Sequence, residues 1–249
     1  MQVSLIFDRL LLYMENTKEI KNDPVIEALF SAGAHYGYVR SRRHPSVKPF
    51  IFGAKNRVDI FDLEKTKDLL ERAKVFARTL GKEGKQVVFV TSKHEALPFV
   101  KKAAEETGMP YVAGRWIGGT LTNFSGIRSR IDKLLDLRDK REKGELAKYT
   151  KRERLMIDRE ITRLETLFSG LISLKSLPAA LFVVDPGKEH IAVAEAGKTG
   201  VTIIAIAGSD CNLSLVDYPI VGNDSSSKSI AFFVDSFTRA FKEGRAPAA

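Results

Sequence analysis

Short apolar runs alternate with amphipathic segments along much of the chain. The runs cover residues 87–90, 181–184 and 201–206, and they are rich in valine and isoleucine without regular polar alternation. This pattern predicts strands buried on both faces, as in a parallel sheet. Helical spacing of apolar residues predicts helices over 64–81, 95–107 and 189–198, ended by Gly81, Gly108 and Gly200, and a last helix along Ile230, Phe233, Phe237 and Ala240. Strands and helices in alternation predict a three-layer α/β domain.

Two segments interrupt this alternation. Residues 48–63 hold two apolar stretches around a Gly-Ala-Lys-Asn-Arg turn, which predicts a β-hairpin outside the main sheet. Residues 121–174 carry two helical apolar stripes separated by a charged turn, and Thr150 and Glu153 match a capping box at the start of the second helix. We expect an antiparallel two-helix coiled coil here. It should project from the body, because its other positions are too charged to be buried.

These patterns divide the chain into an N-terminal extension, a discontinuous body and an insertion. We expect the extension over 1–23, the α/β body over 24–120 and 175–245, the helical hairpin over 121–174 and a disordered tail over 246–249. The extension carries no basic segment before its apolar residues, which is not typical of a signal peptide. Its apolar residues could form one face of a helix: Leu5, Ile6, Leu10, Leu12 and Tyr13. This face could contact a neighbouring protein or fold back on the body, and the sequence favours neither alternative.

The composition narrows the class of partner. With 44% hydrophobic residues among 249, disorder throughout is excluded, and no apolar run reaches the roughly 18–20 residues of a membrane-spanning helix. The single cysteine, Cys211, excludes an internal disulfide and a thiolate zinc site and indicates a reducing compartment. The formal charge is +9, from 40 Lys and Arg against 31 Asp and Glu. This excess favours a polyanionic partner, nucleic acid above all.

The excess charge is concentrated in two places. No acid lies between Glu27 and Asp59, where six cations are interleaved with Tyr36, Tyr38, Phe50 and Phe52: Arg40, Arg42, Arg43, Lys48, Lys55 and Arg57. Such a segment favours phosphate docking, with aromatic faces for exposed bases, although the two phenylalanines could simply pack the hairpin onto the body. The predicted helical hairpin is also basic, and it is either a solvated arm or a surface for RNA or protein.

Several other motifs resemble nucleotide-binding, metal or catalytic sites, but the sequence favours a structural role for each. Residues 192–199 satisfy a relaxed Walker pattern, but they end a helix and precede a strand, the reverse of a phosphate loop. His35 and His44 lack metal-ligand spacing and are interpreted as structural, so we predict no metal site and no cofactor. Four aspartates follow predicted strands and could be catalytic, but ordering loops is the favoured role: Asp185, Asp210, Asp217 and Asp224. Cys211 has no activating neighbour in the sequence and is expected to be inert.

Four motifs occur in the order of one known family. They lie at residues 32–37 with 48–53 and 62–66, at 115–124 (Arg-Trp-Ile-Gly-Gly-Thr-Leu-Thr-Asn-Phe), at 181–185 with 189–192, and at 216–220 with 222–224. In this respect the chain resembles the family of the second protein of the bacterial small ribosomal subunit. It departs from the family before Pro45, where Arg43 and His44 replace a tryptophan and an asparagine, and at Leu213 and Ser214 in the acidic loop.

The resemblance implies a flavodoxin-like three-layer α/β/α body with a parallel sheet and a protruding coiled-coil hairpin. It implies a cytoplasmic ribosomal protein with no catalytic activity, which binds ribosomal RNA and neighbouring small-subunit proteins. It also implies a role in recruiting the large mRNA-binding protein built of OB folds.

Together these observations predict a structural rRNA-binding protein that contributes to translation and subunit assembly. The expected phosphate contacts are Arg40, Arg42, Arg43, Lys48, Lys55, Arg57 and Arg115. The alternative is an α/β enzyme acting on a nucleotide or phosphorylated metabolite, with Asp185 and Asp210 at the strand ends.

Overall fold

The computed structural model describes residues 23–246. The expected apolar face of the N-terminal extension and the expected tail beyond Ala246 lie outside the described residues. No helix in the described range is both long enough and apolar enough to cross a membrane.

A short helix and a small antiparallel sheet open the described chain. Helix α1 (Pro24–Ser31) leads to β1 (Tyr36–Val39), β2 (Ile51–Lys55) and β3 (Val58–Phe61), in the order β1-β3-β2. The predicted hairpin is confirmed as β2 and β3. Its turn residues Asn56 and Arg57 have φ values of 52° and 67°, the left-handed backbone that a two-residue hairpin turn requires. The sequence did not predict β1.

The body is a five-stranded sheet in which all neighbouring strands are parallel. In chain order its strands are β4 (Val87–Thr91), β5 (Tyr111–Ala113), β6 (Ala180–Val184), β7 (Thr202–Ala207) and β8 (Tyr218–Val221). They are arranged β5-β4-β6-β7-β8, which in order of appearance is the 2-1-3-4-5 arrangement of flavodoxin-like folds. The predicted parallel α/β body is therefore confirmed.

Helices cover both faces of this sheet. They are α2 (Leu63–Lys82), α3 (Leu97–Thr107), α4 (Phe124–Glu142), α5 (Lys151–Phe168), α6 (His190–Thr199) and α7 (Ser227–Arg245). Because side chains alternate across a strand, Val87 and Phe89 join one buried cluster, with α2, α3 and α7, while Val88 and Val90 join another. The second cluster contains the apolar residues of α4, α5 and α6.

The two helices of the insertion contribute to this second core. Ile131 and Leu134 of α4 and Ile161 and Leu164 of α5 are buried in one cluster with the sheet residues. The predicted capping box at the start of α5 is confirmed, since the Thr150 side chain accepts from the Glu153 backbone N–H and the Glu153 side chain reaches back. Ion pairs also join the two helices: Lys133–Glu160 at 3.1 Å and Arg138–Glu165 at 2.8 Å.

The expected glycine stops are correct at two helices and wrong at the third. Gly108 and Gly200 end α3 and α6 in the left-handed conformation. Gly81 instead lies inside α2, which continues to Lys82. The role of this glycine is to let the backbones of α2 and α7 approach each other closely. A Cβ at Gly81 would lie 2.2 Å from the Phe241 carbonyl oxygen.

This close approach predicts that Gly81→Ala will destabilise the protein. The added methyl group must displace α7, and overpacking of this kind costs about 1–3 kcal/mol, which exceeds the helix-propensity gain of about 1 kcal/mol. Gly197 is the matched control, since it lies inside α6 and a Cβ added there would meet no atom within 4 Å. Gly197→Ala should raise stability by roughly 0.5–1 kcal/mol. Urea unfolding of both variants checks the prediction, and a stabilised Gly81→Ala would contradict it.

Candidate nucleic-acid interface

The small sheet is mounted on the edge of the main sheet at which the parallel strands end. The loop after β7 fixes it there, because Ser209 accepts the Tyr38 backbone N–H on its Oγ (2.8 Å) and the His44 backbone N–H on its carbonyl oxygen (2.9 Å). Ser46 Oγ accepts a further N–H from Leu213 at 3.0 Å. The cation-rich segment of the sequence is therefore held at the carboxyl edge of the body.

A buried ion-pair cluster lies beneath this junction. Lys93 follows β4, Asp185 follows β6 and Asp224 follows β8, and all three residues are at least 93% buried. Lys93 Nζ donates to Asp224 Oδ2 at 2.6 Å and lies 2.8 Å from Asp185 Oδ2. It also donates to the Tyr38 hydroxyl at 3.2 Å, which links the cluster to β1.

Burial and charge act in opposite directions on these groups. Burial alone would lower the pKa of Lys93, but Asp224 and Asp185 outweigh it, so the pKa lies above its usual value and the ammonium stays charged. Burial raises the pKa of Asp224, helped by the charge of Asp185 and opposed by Lys93. The Lys93 ammonium therefore forms ion pairs with two carboxylates that repel each other.

The same cluster contains the residues that come closest to a metal site in the described chain. Ligand atoms of Asp185, Cys211 and Asp224 lie within 4.8 Å of one another. However, the Lys93 ammonium already contacts both carboxylates, and burial raises the pKa of the Cys211 thiol far above its usual value. A protonated thiol is a poor metal ligand. The residues present therefore suit an internal ion pair better than a bound cation.

Two of the seven predicted phosphate contacts are held in internal ion pairs. Arg42 pairs with Asp210 at 2.8 Å and lies over the Tyr38 ring at 4.6 Å, although 59% of its side chain is still exposed. Arg43 lies 3.5 Å from the fully buried carboxylate of Asp59. Arg43 thus neutralises a buried acid, and Arg42 covers the ion-pair cluster.

The other five are exposed and form no ion pair within the described residues: Arg40, Lys48, Lys55, Arg57 and Arg115. The Arg40 backbone N–H donates to the Arg57 carbonyl at 2.8 Å, which brings these two side chains to the same end of the hairpin. Together they line an open cavity of about 700 Å³. Arg115 follows β5, and three strand spacings of about 4.8 Å separate β5 from β7, so it lies at the far end of the same edge.

The aromatic residues of this segment have different roles. Tyr38 is half-buried, and its hydroxyl hydrogen-bonds to Ser225 Oγ at 2.7 Å. Phe50 packs against the small core beneath the hairpin, as the alternative interpretation expected. Tyr36 and Phe52 are 51% and 42% exposed. The surface around the cations is therefore partly aromatic.

Sequence reasoning missed one carboxylate that shapes this edge. Glu195 lies in the Walker-like segment at residues 192–199, which belongs to helix α6 as expected. Gly197 lies inside this helix, and Gly200 ends it. The Oε1 of Glu195 accepts the Gly119 backbone N–H at 2.6 Å, and its Oε2 accepts that of Leu121 at 2.9 Å. Trp116, which is buried, donates from Nε1 to Oε1 at 3.4 Å. Glu195 thus orders the loop that carries Arg115.

The remaining predicted candidates have structural roles. His44 caps the 3₁₀ turn at Pro45–Phe50 by accepting the Ser46 N–H, and Asp217 accepts the Ile203 N–H at 2.8 Å. A cavity of about 520 Å³ opens at the β4/β6 switch point, where flavodoxin-like folds bind ligands. Three carboxylates line it, and two of them, Asp185 and Asp210, are already paired with Lys93 and Arg42, while the third, Glu95, is exposed. This arrangement disfavours the enzyme alternative.

Comparisons with known proteins match nearly the whole described chain. A family model described as "Ribosomal protein S2" matches residues 29–244. The chain is 41% identical over 220 residues to the small ribosomal subunit protein uS2 of Coprothermobacter proteolyticus, covering 88% of this chain and 82% of the relative. It is 39% identical over 228 residues to that of Chloroflexus aurantiacus, covering 92% and 96%. The protein of the same name from Dictyoglomus thermophilum is 39% identical over 221 residues, covering 89% and 90%.

Proposed function

The chain belongs to the ribosomal protein S2 family and is a structural protein of the small ribosomal subunit, and we propose that it docks on ribosomal RNA through its small antiparallel sheet. This family is a ribosomal protein family and not an enzyme family. The observation that carries the proposal is the set of exposed cations on and beside the small sheet, unpaired with any acid in the described chain: Arg40, Lys48, Lys55 and Arg57. Unpaired guanidinium and ammonium groups gain most from phosphates, because no internal ion pair must first be broken.

The seven predicted contacts then have two kinds of role. Arg40, Lys48, Lys55, Arg57 and Arg115 bind phosphates directly. Arg42 ties the small sheet to the loop after β7 through Asp210, and Arg43 stabilises the small sheet internally through Asp59 of β3. Arg42, being more exposed, can also reach a phosphate. The protein recognises the shape of folded RNA by this fixed array rather than by reading base edges.

The insertion at 121–174 is proposed to be an antiparallel coiled coil inserted in the discontinuous body at 24–120 and 175–245, with its apolar residues packed in the second core. The short connection between α4 and α5, residues 143–150, supports antiparallel neighbours. The pairs Lys133–Glu160 and Arg138–Glu165 have the same sequence separation of 27, so they join the helices without defining an antiparallel register. Neighbouring small-subunit proteins and the OB-fold mRNA-binding protein remain proposed partners, on ribosomes in the cytoplasm.

We predict that replacing Arg40, Lys55 and Arg57 together with alanine will weaken the salt dependence of RNA binding. Each lost phosphate contact lowers the slope of log K against log salt by roughly one unit, so the triple variant should lose about three. The measurement is binding of 16S ribosomal RNA between 50 and 300 mM salt (roughly the range in which such slopes are measured), with sedimentation to follow incorporation into the small subunit.

A charge-matched control separates docking from net charge. Lys82, Lys85 and Lys101 are exposed lysines on or beside helices α2 and α3, away from the small sheet. Their triple alanine variant has the same net charge as the test variant and should keep the wild-type slope. Equal slopes for the two variants would contradict the proposed docking surface.

A further inference from the structure

Three aromatic rings form an exposed stack beside the small sheet. The ring of Phe30, at the end of α1, stacks on that of His35 with centroids 4.6 Å apart and an interplanar angle of 9°. The Tyr36 ring also contacts that of His35, with centroids 4.1 Å apart and an interplanar angle of 41°. Phe30 is 61% exposed and Tyr36 is 51% exposed, so both of these rings are open to solvent, while His35 between them in the contact series is half-buried.

The backbone holds these rings in place before any partner binds. Gly33 turns the chain between the rings with a φ of 71°, a conformation that suits glycine. Asn223 fixes the turn, because its Nδ2 donates to the Gly33 carbonyl and its backbone N–H donates to the Ala34 carbonyl, each at 2.9 Å. The His35 carbonyl accepts the Phe61 N–H at 2.8 Å, which joins the stack to β3. The backbone that carries the three rings is therefore ordered in the free protein, which lowers the cost of ordering it on binding.

The middle ring is uncharged. Burial lowers the pKa of His35, so its imidazole is neutral near pH 7, and its Nδ1 is buried with no hydrogen-bond partner in the described chain. The stack therefore presents neutral π faces rather than a cation. Such faces suit a nucleobase, which stacks on aromatic rings irrespective of its identity.

Cations lie close enough to hold the backbone of the same strand of RNA. Arg40 follows Tyr36 by four residues along β1, which is about 13 Å at the rise of an extended strand. A strand of a few nucleotides spans that distance even when it is fully stacked at about 3.4 Å per step, and an unstacked strand spans it with fewer nucleotides. Arg57 lies beside Arg40, and Lys55 ends β2, which is separated from β1 by β3. A surface with open rings at one end and unpaired cations at the other complements a single strand better than it complements an apolar protein.

We propose that the Phe30–His35–Tyr36 stack is a platform for one or more unpaired bases of ribosomal RNA. This inference rests on the proposed function and adds its ligand class, an unstacked single-stranded segment rather than a duplex. The outer faces of Phe30 and Tyr36 take the bases, and Arg40 and Arg57 take the phosphates that follow. No sequence motif marked Phe30, because only the fold places it against His35.

The test compares two short RNA probes that differ only in their bases. One is an octamer of adenylate, and the other is an octamer of abasic ribose phosphates with the same charge. The full chain should prefer the adenylate octamer by about fivefold to 150-fold, the value of one stacked base. Phe30→Leu and Tyr36→Leu should each lose most of this preference while keeping the salt slope, and Tyr36→Phe should retain it.

A control variant and three outcomes distinguish failure of the stacking platform from failure of the proposed function. Tyr149→Leu removes another exposed aromatic ring, at the connection between α4 and α5, and should leave the preference unchanged. Failure of the wild-type chain to bind either octamer or 16S ribosomal RNA would overturn the proposed function itself. Equal binding of both octamers by a wild-type chain that binds 16S ribosomal RNA would overturn only the stacking platform. Leucine variants that keep the base preference but fail to enter the small subunit would assign the rings to a protein neighbour instead.

Discussion

Replacing Lys93 with methionine will lower the free energy of unfolding by about 3–5 kcal/mol, because it leaves two buried carboxylates without a counter-ion. Asp185 and Asp224 are 7% and 1% exposed, so water cannot take over the role of the ammonium. Methionine keeps the length and apolar stem of lysine, so the loss reports the charge rather than a cavity. Urea unfolding at pH 7 measures the effect.

The stability lost in Lys93→Met should depend on pH and should be smaller at low pH. An acid whose pKa is raised by folding is protonated more readily in the folded state, so it costs stability as the pH rises through its folded pKa. The pKa of Asp224 is already raised by burial, and losing Lys93 raises it further. The deficit of Lys93→Met should therefore shrink as the pH is lowered from 8 towards the usual aspartate value of 3.8.

Two further variants test the cause. Adding Asp224→Asn to Lys93→Met removes one of the stranded charges and should recover part of the lost stability at pH 7. Lys133→Met breaks the half-exposed pair with Glu160 and should cost less than about 1 kcal/mol, as surface pairs do. A Lys93→Met variant as stable as Lys133→Met would show that the cluster does not hold the strand ends together.

The sequence predicts the body well and the site only in part. The runs that form β4, β6 and β7 are continuous and apolar, because these strands are covered on both faces. The strands that were missed, β1, β5 and β8, are three or four residues long and lie at sheet edges, where Pro219 is tolerated in β8. Short edge strands carry too few buried positions for a pattern to emerge.

The site depends on contacts that no local pattern contains. The acid-free segment was visible, but Arg42 is paired with a residue 168 positions away, and the pairing of Arg43 depends on the fold of β3. Lys93 resembles an ordinary lysine after a strand until the ends of β4, β6 and β8 meet. Only this convergence of parallel strands makes it the centre of a buried cluster.

Glu195→Gln will destabilise the protein by about 2–4 kcal/mol, because backbone donors lose their charged acceptor and one faces an amide NH₂ instead. The carboxylate is 7% exposed and accepts from Gly119, Leu121 and Thr122. A helix residue therefore fixes a distant loop, and with it the position of Arg115. We also expect the variant to bind ribosomal RNA more weakly at low salt.

The pH dependence of Glu195 has the opposite sign to that of Asp224. Burial alone would raise the pKa of Glu195, but the N–H groups of Leu121, Gly119 and Thr122 outweigh it and hold the pKa below the usual 4.5. A depressed folded pKa gives stability that is present above the unfolded value and lost as the pH falls through the folded one. The gap between wild type and Glu195→Gln should thus be constant from pH 7 to about 5 and should close below 4.5.

Urea unfolding at four pH values between 7 and 3.5, a window that extends about 2.5 units above and one unit below an ordinary glutamate pKa, measures that gap. Glu106→Gln is the control, since Glu106 is a solvent-exposed carboxylate paired with Lys242 and its loss should cost much less stability than that of Glu195, as for other surface ion pairs. A Glu195 gap that persists unchanged in acid would mean that shape, and not the ionised carboxylate, orders the loop. Closure of the gap would instead show that a buried carboxylate orders the loop of Arg115 at the proposed RNA-binding edge, just as the buried ammonium of Lys93 holds together the strand ends beneath the small sheet.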